Sequence, residues 1–62
     1  MTTAETIKAL RTKAGLHQQQ LADRLGVKQQ KISEWENGKH EPRYSTMLRI
    51  IEICNEVNND KK

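Results

Sequence analysis

The spacing of apolar residues around one glycine, Gly26, constrains the fold of this 62-residue chain more than any other feature. On either side of Gly26, apolar residues stand where two short helices must pack on each other. Glycine suits the sharp turn between them because it tolerates a positive φ. No stretch of the sequence alternates apolar and polar residues as a strand does. The pattern predicts an all-α fold, and a chain of this length holds a single domain.

Capping residues and glycines indicate the limits of the first two helices. Thr2 and Glu5 match a capping-box pattern ahead of a helix that runs to about Lys13. His17 stands at the N-cap position of the second helix, and Gly26 ends that helix after about two turns. Both helices are therefore predicted from local signals alone.

The third and fourth helices are predicted on either side of a proline. The third runs from about residue 28 to residue 36 or 37, and Pro42 lies in the connector because proline cannot sit inside a helix. Ser45 is a candidate cap for the fourth helix, and Asn55 is a candidate left-handed stop. We expect the core to contain Ile7, Leu10, Leu21, Ala22, Leu25, Val27, Ile32, Trp35, Leu48 and Ile51.

These elements predict one compact four-helix domain, with at most a vestigial fifth helix. We place the domain at residues 1–57 and a polar tail at residues 58–62. Within the domain, the second and third helices form a helix-turn-helix at residues 18–37, because every packing position of that motif is occupied by an apolar or small residue.

The charge of the chain is concentrated in its middle. The net charge is +3, but from Lys8 to Arg49 nine basic residues stand against four acidic ones, a local net of +5. A basic body indicates a surface that faces a polyanion. A solvated lysine-rich face that only keeps a small protein soluble fits the charge equally well.

The residue types argue against catalysis and against a bound cofactor or metal. The sequence offers no nucleophile beside a base, no carboxylate pair on one helix face and no phosphate-binding glycine loop. Cys54, His17 and His40 do not have the spacing of a zinc site, and Cys54 is expected to be a buried apolar group. No apolar run approaches the ~18 residues of a membrane span, so we expect a cytoplasmic protein without a membrane partner.

The third helix separates a core face from a polar face on a helical wheel. Ile32 and Trp35 point into the core. The opposite face carries glutamine, serine and glutamate side chains. Glutamine can pair with N6 and N7 of adenine, a serine hydroxyl can donate or accept a hydrogen bond, and a carboxylate accepts from N4 of cytosine. These residue types are suited to reading bases in the major groove. An ordinary solvated face is the alternative, although it more often shows Lys and Glu four residues apart. The candidate base contacts are Gln29, Gln30, Ser33 and Glu34.

Basic side chains flank this polar face, and the N-terminus of the second helix lies beside it. Both kinds of group can bind phosphate oxygens of DNA. Gln18 opens the second helix, and His40 could join when protonated. For the two lysines, simple solvation remains an alternative. The candidate phosphate contacts are Gln18, Lys28, Asn37, Lys39 and Arg43.

The sequence resembles the phage repressor and Cro group, the lambda-repressor-like or XRE-type helix-turn-helix family. The resemblance spans residues 7–54. It is carried by Ile7-Lys8-Ala9-Leu10-Arg11, Gly15-Leu16-His17-Gln18, Gln20-Leu21-Ala22-Asp23-Arg24-Leu25-Gly26-Val27, Ile32-Ser33-Glu34-Trp35-Glu36-Asn37-Gly38, and Pro42.

This resemblance implies a prokaryotic or phage transcriptional repressor that places its third helix in the major groove of a DNA operator, usually as a dimer on half-sites about one turn apart. It implies that Gln18 contacts a phosphate, and that Gln29, Gln30 and Glu34 read bases. It also implies a structural ion pair between Arg11 and Glu36.

The end of the sequence and the helical fold each leave an alternative. Family members usually continue into a fifth helix that helps to form the dimer, and this sequence stops eight residues after Cys54, which counts against a homodimer formed by that route. The alternative function is a helical module, of the antitoxin or coactivator type, that binds a protein partner. Its exposed apolar patch would consist of Ile50, Ile53 and Val57.

Overall fold

The computed structural model describes residues 2–60, with no description of the side chain of Asp60. Within that range the chain is all-helical, as predicted, and contains no strand. The helices are α1 (Thr3–Lys13), α2 (Gln18–Leu25), α3 (Gln29–Glu36) and α4 (Tyr44–Asp60).

The N-terminus of α1 carries the predicted capping box, and α2 begins after His17, the predicted N-cap. The Thr2 hydroxyl accepts from the Glu5 N–H at 3.2 Å, and the Glu5 carboxylate accepts from the Thr2 N–H at 3.0 Å. These bonds to Thr2, the backbone one first, hold the pKa of Glu5 below its ordinary value. At α2, the Gln20 carboxamide accepts from the His17 N–H at 2.8 Å. Both helices therefore begin where the capping signals indicated.

Gly26 ends α2 in the left-handed conformation, with φ of +80°. Its N–H and that of Val27 both donate to the Ala22 carbonyl, at 2.8 and 3.0 Å. An L-residue in this conformation carries a steric cost of roughly 1–2 kcal/mol, which glycine avoids. The tight turn sets α3 directly after α2, and the two helices pack on each other.

The core forms where α2 and α3 pack on each other, α1 packs on α3 and α4, and α2 packs on α4. Leu10, Leu25, Val27 and Met47 are partly buried and pack against its edge. Cys54 is buried, as expected, and carries a free thiol whose pKa is raised by burial. The buried residues are Ile7, Ala14, Leu16, Leu21, Ala22, Ile32, Trp35, Ile50, Ile53, Cys54 and Val57.

The predicted inner face of α4 is wrong at two positions. Leu48 is 47% exposed and Ile51 is 36% exposed. The buried stripe is instead Ile50, Ile53, Cys54 and Val57, which recur at helical spacing. Leu48 and Ile51 lie about 200° and 100° around the helix from Ile50, outside that stripe.

The candidate patch for a protein partner is corrected by the same observation. Ile50, Ile53 and Val57 are buried in the core and present no exposed surface. The exposed large apolar residues of the described chain are Tyr44, Leu48 and Ile51. An apolar face therefore exists on α4, but on a different side of the helix from the one predicted.

The ends of α4 also differ from the prediction. The helix starts one residue before Ser45, and the Met47 N–H bonds the Arg43 carbonyl at 3.0 Å, so Ser45 lies in the first turn and is not the cap. Asn55 does not stop the helix, because Val57 packs into the core and holds a further turn. Residues 58–60 of the predicted tail are helical, and residues 61–62 lie outside the described range. The domain limit at residue 57 stays a prediction.

Candidate nucleic-acid interface

The outer face of α3 is polar and open. Ile32 and Trp35 are the residues that α3 buries, so they hold the helix on the core from one side. On the other side, Gln29 and Gln30 are exposed, while Ser33 and Glu34 are half-buried. The structure thus brings the four candidate base-reading side chains onto one helix, eight residues long.

Two pairs of side chains along this face are joined by long hydrogen bonds. The Gln30 carboxamide nitrogen donates to Glu34 at 3.5 Å, and the Asn37 carboxamide nitrogen donates to the Ser33 hydroxyl at 3.4 Å. Both distances exceed the usual hydrogen-bond range, so these contacts are weak. A ligand with its own donors and acceptors can replace them at little cost.

A short hydrogen bond joins the N-termini of α2 and α3. The Gln29 carboxamide nitrogen donates to Gln18 Oε1 at 2.7 Å. Gln18 is half-buried, and its own nitrogen donates to Glu36 Oε1 at 3.2 Å. Gln18 therefore links an exposed side chain of the open face to a carboxylate at the far end of α3.

That carboxylate belongs to the interior ion pair which the resemblance implied. Arg11 Nε donates to Glu36 Oε2 at 2.7 Å, and Nη2 donates to Oε1 at 2.9 Å. The two side chains are only 14% and 4% exposed, and Arg11 Nη1 also donates to the Leu16 carbonyl at 2.9 Å. The bond to Glu36 raises the pKa of Arg11, and burial opposes this. The bidentate pair fixes α1 against α3.

Cationic side chains surround the face without taking part in ion pairs. Lys28, Lys39 and Arg43 are exposed, and within residues 2–60 none of them pairs with a carboxylate. Lys28 is the N-cap of α3 but makes no capping bond with its side chain. Asn37 is the C-cap of α3, and the turn at Gly38 lets the Lys39 N–H bond the Glu34 carbonyl at 3.0 Å.

A cleft of about 370 Å³ lies between α3 and the connector that follows it. Trp35 and Pro42 contribute to its lining, together with His40, Arg43 and Lys31. Lys31 was not singled out from the sequence. Its basic charge directly after Gln30 in the chain was the signal that could have found it.

The described residues lack two features that other functions would require. Between residues 2 and 60, no helix combines the length and apolar character that crossing a membrane requires. Over the same part of the chain, His, Cys, Asp and Glu side chains form no cluster able to hold a metal ion.

The fold and this polar face define a class of protein, the helix-turn-helix proteins. The chain belongs to the helix-turn-helix family, which matches residues 7–58, and the resemblance seen in the sequence is thereby confirmed. The chain is similar to YonR, an SPbeta prophage-derived uncharacterized HTH-type transcriptional regulator of Bacillus subtilis (strain 168). The identity is 39% over 49 residues, which are 79% of this chain and 45% of YonR. The chain thus spans less than half the length of this relative. No solved structure matches it.

Proposed function

We propose that this chain is the sequence-specific duplex-DNA-binding domain of a repressor-like transcriptional regulator, and that α3 enters the major groove. The observation that carries the proposal is the open polar face of α3, held in place by the bond between Gln29 and Gln18. Family membership and the printed function of the prophage relative support it. The same relative supports a phage or prokaryotic setting, and hence a cytoplasmic location.

Gln29 is the residue best prepared to read a base. One N–H of its carboxamide is bonded to Gln18, which leaves the second N–H and the oxygen for a ligand. A donor and an acceptor side by side match N7 and N6 of adenine in the major groove. Gln30, Ser33 and Glu34 continue the face along α3, and Glu34 has the acceptor oxygens that suit the amino group of cytosine.

The surrounding cations supply the contacts that do not depend on sequence. Lys28, Lys39 and Arg43 are exposed near the two ends of α3, where they can reach the strands on either side of the groove. Asn37 and Gln18 add uncharged donors. The first amides of α2 favour a phosphate oxygen, because helix N-termini carry partial positive charge.

Binding as a homodimer follows from the same proposal. Helix-turn-helix domains that bind as dimers occupy two half-sites about 10 base pairs apart. The alternative of a protein-binding module loses the patch on which it rested, since Ile50, Ile53 and Val57 are buried.

Selection from a random duplex pool at about 0.15 M salt, followed by a salt titration of the selected site, tests the proposal. A consensus with two half-sites is the expected result. The matched control is a chain with Gln29 and Gln30 both replaced by alanine, which should still bind duplexes but select a looser consensus. Absence of enrichment, with binding that disappears as salt rises, would contradict sequence-specific recognition and redirect the search to a protein partner.

A further inference from the structure

The cleft between α3 and the connector to α4 lies apart from the base-reading face. Its volume of about 370 Å³ falls within the range of small-molecule sites, about 300–1,000 Å³. Lys31 lines the cleft from α3. On the helical wheel it lies about 40° from Trp35 but about 160° from Gln29. A ligand held in this cleft therefore sits on the flank of α3 and leaves Gln29 uncovered.

The buried part of the lining is mainly apolar. Trp35, which is 8% exposed, is its most buried residue, and the half-buried Val27 and Pro42 add further apolar surface. The ring of a tryptophan packs well against another flat ring, offset or edge to face. The cleft has room for roughly a dozen waters at about 30 Å³ each, which is space for a molecule with one aromatic ring.

The exposed part of the lining is charged and mainly basic. Lys31 and Arg43 stand against a single carboxylate, Glu41, so these three residues carry a net charge of +1. Within residues 2–60, none of the three takes part in an ion pair. The guanidinium of an arginine binds a carboxylate through two parallel N–H···O bonds. A ligand with one aromatic ring and one carboxylate thus matches both the shape and the charge of the lining.

We propose that this cleft binds a small aromatic carboxylate, and that its occupation weakens DNA binding. The second half rests on the proposed function, in which Arg43 contacts a DNA phosphate. A guanidinium bonded to a ligand carboxylate has fewer donors for a phosphate, and an anion held beside α3 repels the DNA backbone. By linkage, the ligand lowers the affinity for the operator by the same factor by which the operator lowers the affinity for the ligand.

Titration of the chain with benzoate, in the absence of DNA, tests the binding site by itself. The indole N–H signal of Trp35, the single tryptophan, reports occupation of the cleft in NMR spectra. A ligand this small is expected to bind with a Kd of about 1–10 mM. Absence of a shift at Trp35 up to about 50 mM benzoate would overturn the proposal.

Three related compounds test the chemistry of the ligand. Benzamide keeps the ring without the charge, whereas acetate and inorganic phosphate keep a charge without the ring. Each should bind several-fold more weakly than benzoate. Benzamide binding as tightly as benzoate would overturn the role of charge. Acetate or phosphate binding as tightly would show a plain anion site, such as a DNA phosphate occupies, and would overturn the aromatic ligand.

Two substitutions should change the affinity in opposite directions. Lys31→Ala should weaken benzoate binding several-fold, and Glu41→Gln should strengthen it several-fold, since it removes the carboxylate of the lining. Both positions are exposed, so the fold should be kept. Lys8→Ala removes the same charge from an exposed site on α1 and should bind benzoate like the parent. Unchanged affinity in both cleft variants would place the ligand elsewhere and overturn the proposal.

Operator titrations test the effect on DNA binding. Benzoate at saturating concentration should raise the Kd for the selected duplex several-fold above its value in the same concentration of sodium acetate, which controls for ionic strength. Arg43→Ala should lose most of this effect. An unchanged Kd, with benzoate bound in the cleft, would overturn the regulatory half alone. If no duplex is selected, the proposed function fails and the regulatory half fails with it, while the benzoate result without DNA stands.

Discussion

The carboxamide of Gln29, on the open face of α3, donates to Gln18 at 2.7 Å, and Gln18 donates in turn to the buried carboxylate of Glu36. The side chain proposed to read a base is therefore oriented before any DNA arrives. This orientation reduces the conformational entropy that Gln29 loses on binding, because a free glutamine side chain samples many rotamers. Gln18 acquires a positioning role beside the phosphate contact predicted for it.

Replacement of Gln29 by alanine should abolish the preference at one base pair of the selected site. A good bidentate contact contributes about 1–3 kcal/mol of discrimination, roughly 5- to 150-fold. Gln18→Ala should reduce the same preference by a smaller factor, because it leaves Gln29 present but unsupported. Gln19→Ala, on the exposed side of α2, is the matched control. Titrations against duplexes changed one base pair at a time measure the effect, and equal losses at every base pair would contradict the assignment.

Replacement of Arg43 by alanine should weaken binding to all duplexes alike. Because the proposed contact is to a phosphate, the slope of log K against log salt should become less negative by about 0.9. Lys8→Ala removes the same charge from an exposed site on α1 and serves as the control for net charge. A change of base preference in Arg43→Ala would mean that this residue contacts a base instead.

Loss of either partner of the Arg11–Glu36 pair should destabilise the domain strongly. Removing one partner leaves a buried charge without compensation, which costs about 3–5 kcal/mol in the free energy of unfolding. The double variant Arg11→Met with Glu36→Leu should be more stable than either single variant, since no charge is then stranded. Urea titrations followed by the fluorescence of the single, buried Trp35 measure this.

The exposed Arg49–Glu52 pair provides the control for that experiment. Arg49→Ala should change the free energy of unfolding by less than about 1 kcal/mol, because exposed ion pairs contribute little. If Arg11→Ala were as mild as Arg49→Ala, the interior pair would not hold α1 against α3.

The capping box of α1 predicts a pH dependence of stability in acid. The folded chain holds the pKa of Glu5 below its ordinary value of about 4.3, so ionised Glu5 stabilises the fold above that pH. This contribution is lost as the pH falls through the folded pKa. Glu5→Gln keeps an acceptor for Thr2 but does not titrate. Thermal melts between about pH 6 and pH 3 should therefore show a steeper loss for the parent, and parallel curves would contradict the prediction.

Local chemistry made the first three helices predictable from the sequence. The capping box at Thr2, the positive φ at Gly26 and the polar wheel around Ile32 each depend on residues close in the chain. The bond between Gln18 and Gln29 was not predictable in this way, because it joins two helices across a turn and no sequence period reports it.

The fourth helix was predicted less well for a different reason. The apolar residues of α4 cover more than half of the helix circumference. Their helical periodicity alone therefore does not show which part of this apolar face packs against the core. The partners α1 and α2 decide this, and they select Ile50 while leaving Leu48 outside. Asn55 was expected to end the helix on its own propensity, but the packing of Val57 outweighs that local preference.

Helix α3 buries Ile32 and Trp35, and Glu36 is tied to Arg11, so the remaining five of its eight positions have no part in the core. Substitutions at those five positions should leave the domain able to fold. New operator preferences are then accessible by single surface substitutions, each nearly neutral for the scaffold. In such a domain, the surface residues that read DNA can evolve independently of the core residues that hold the fold.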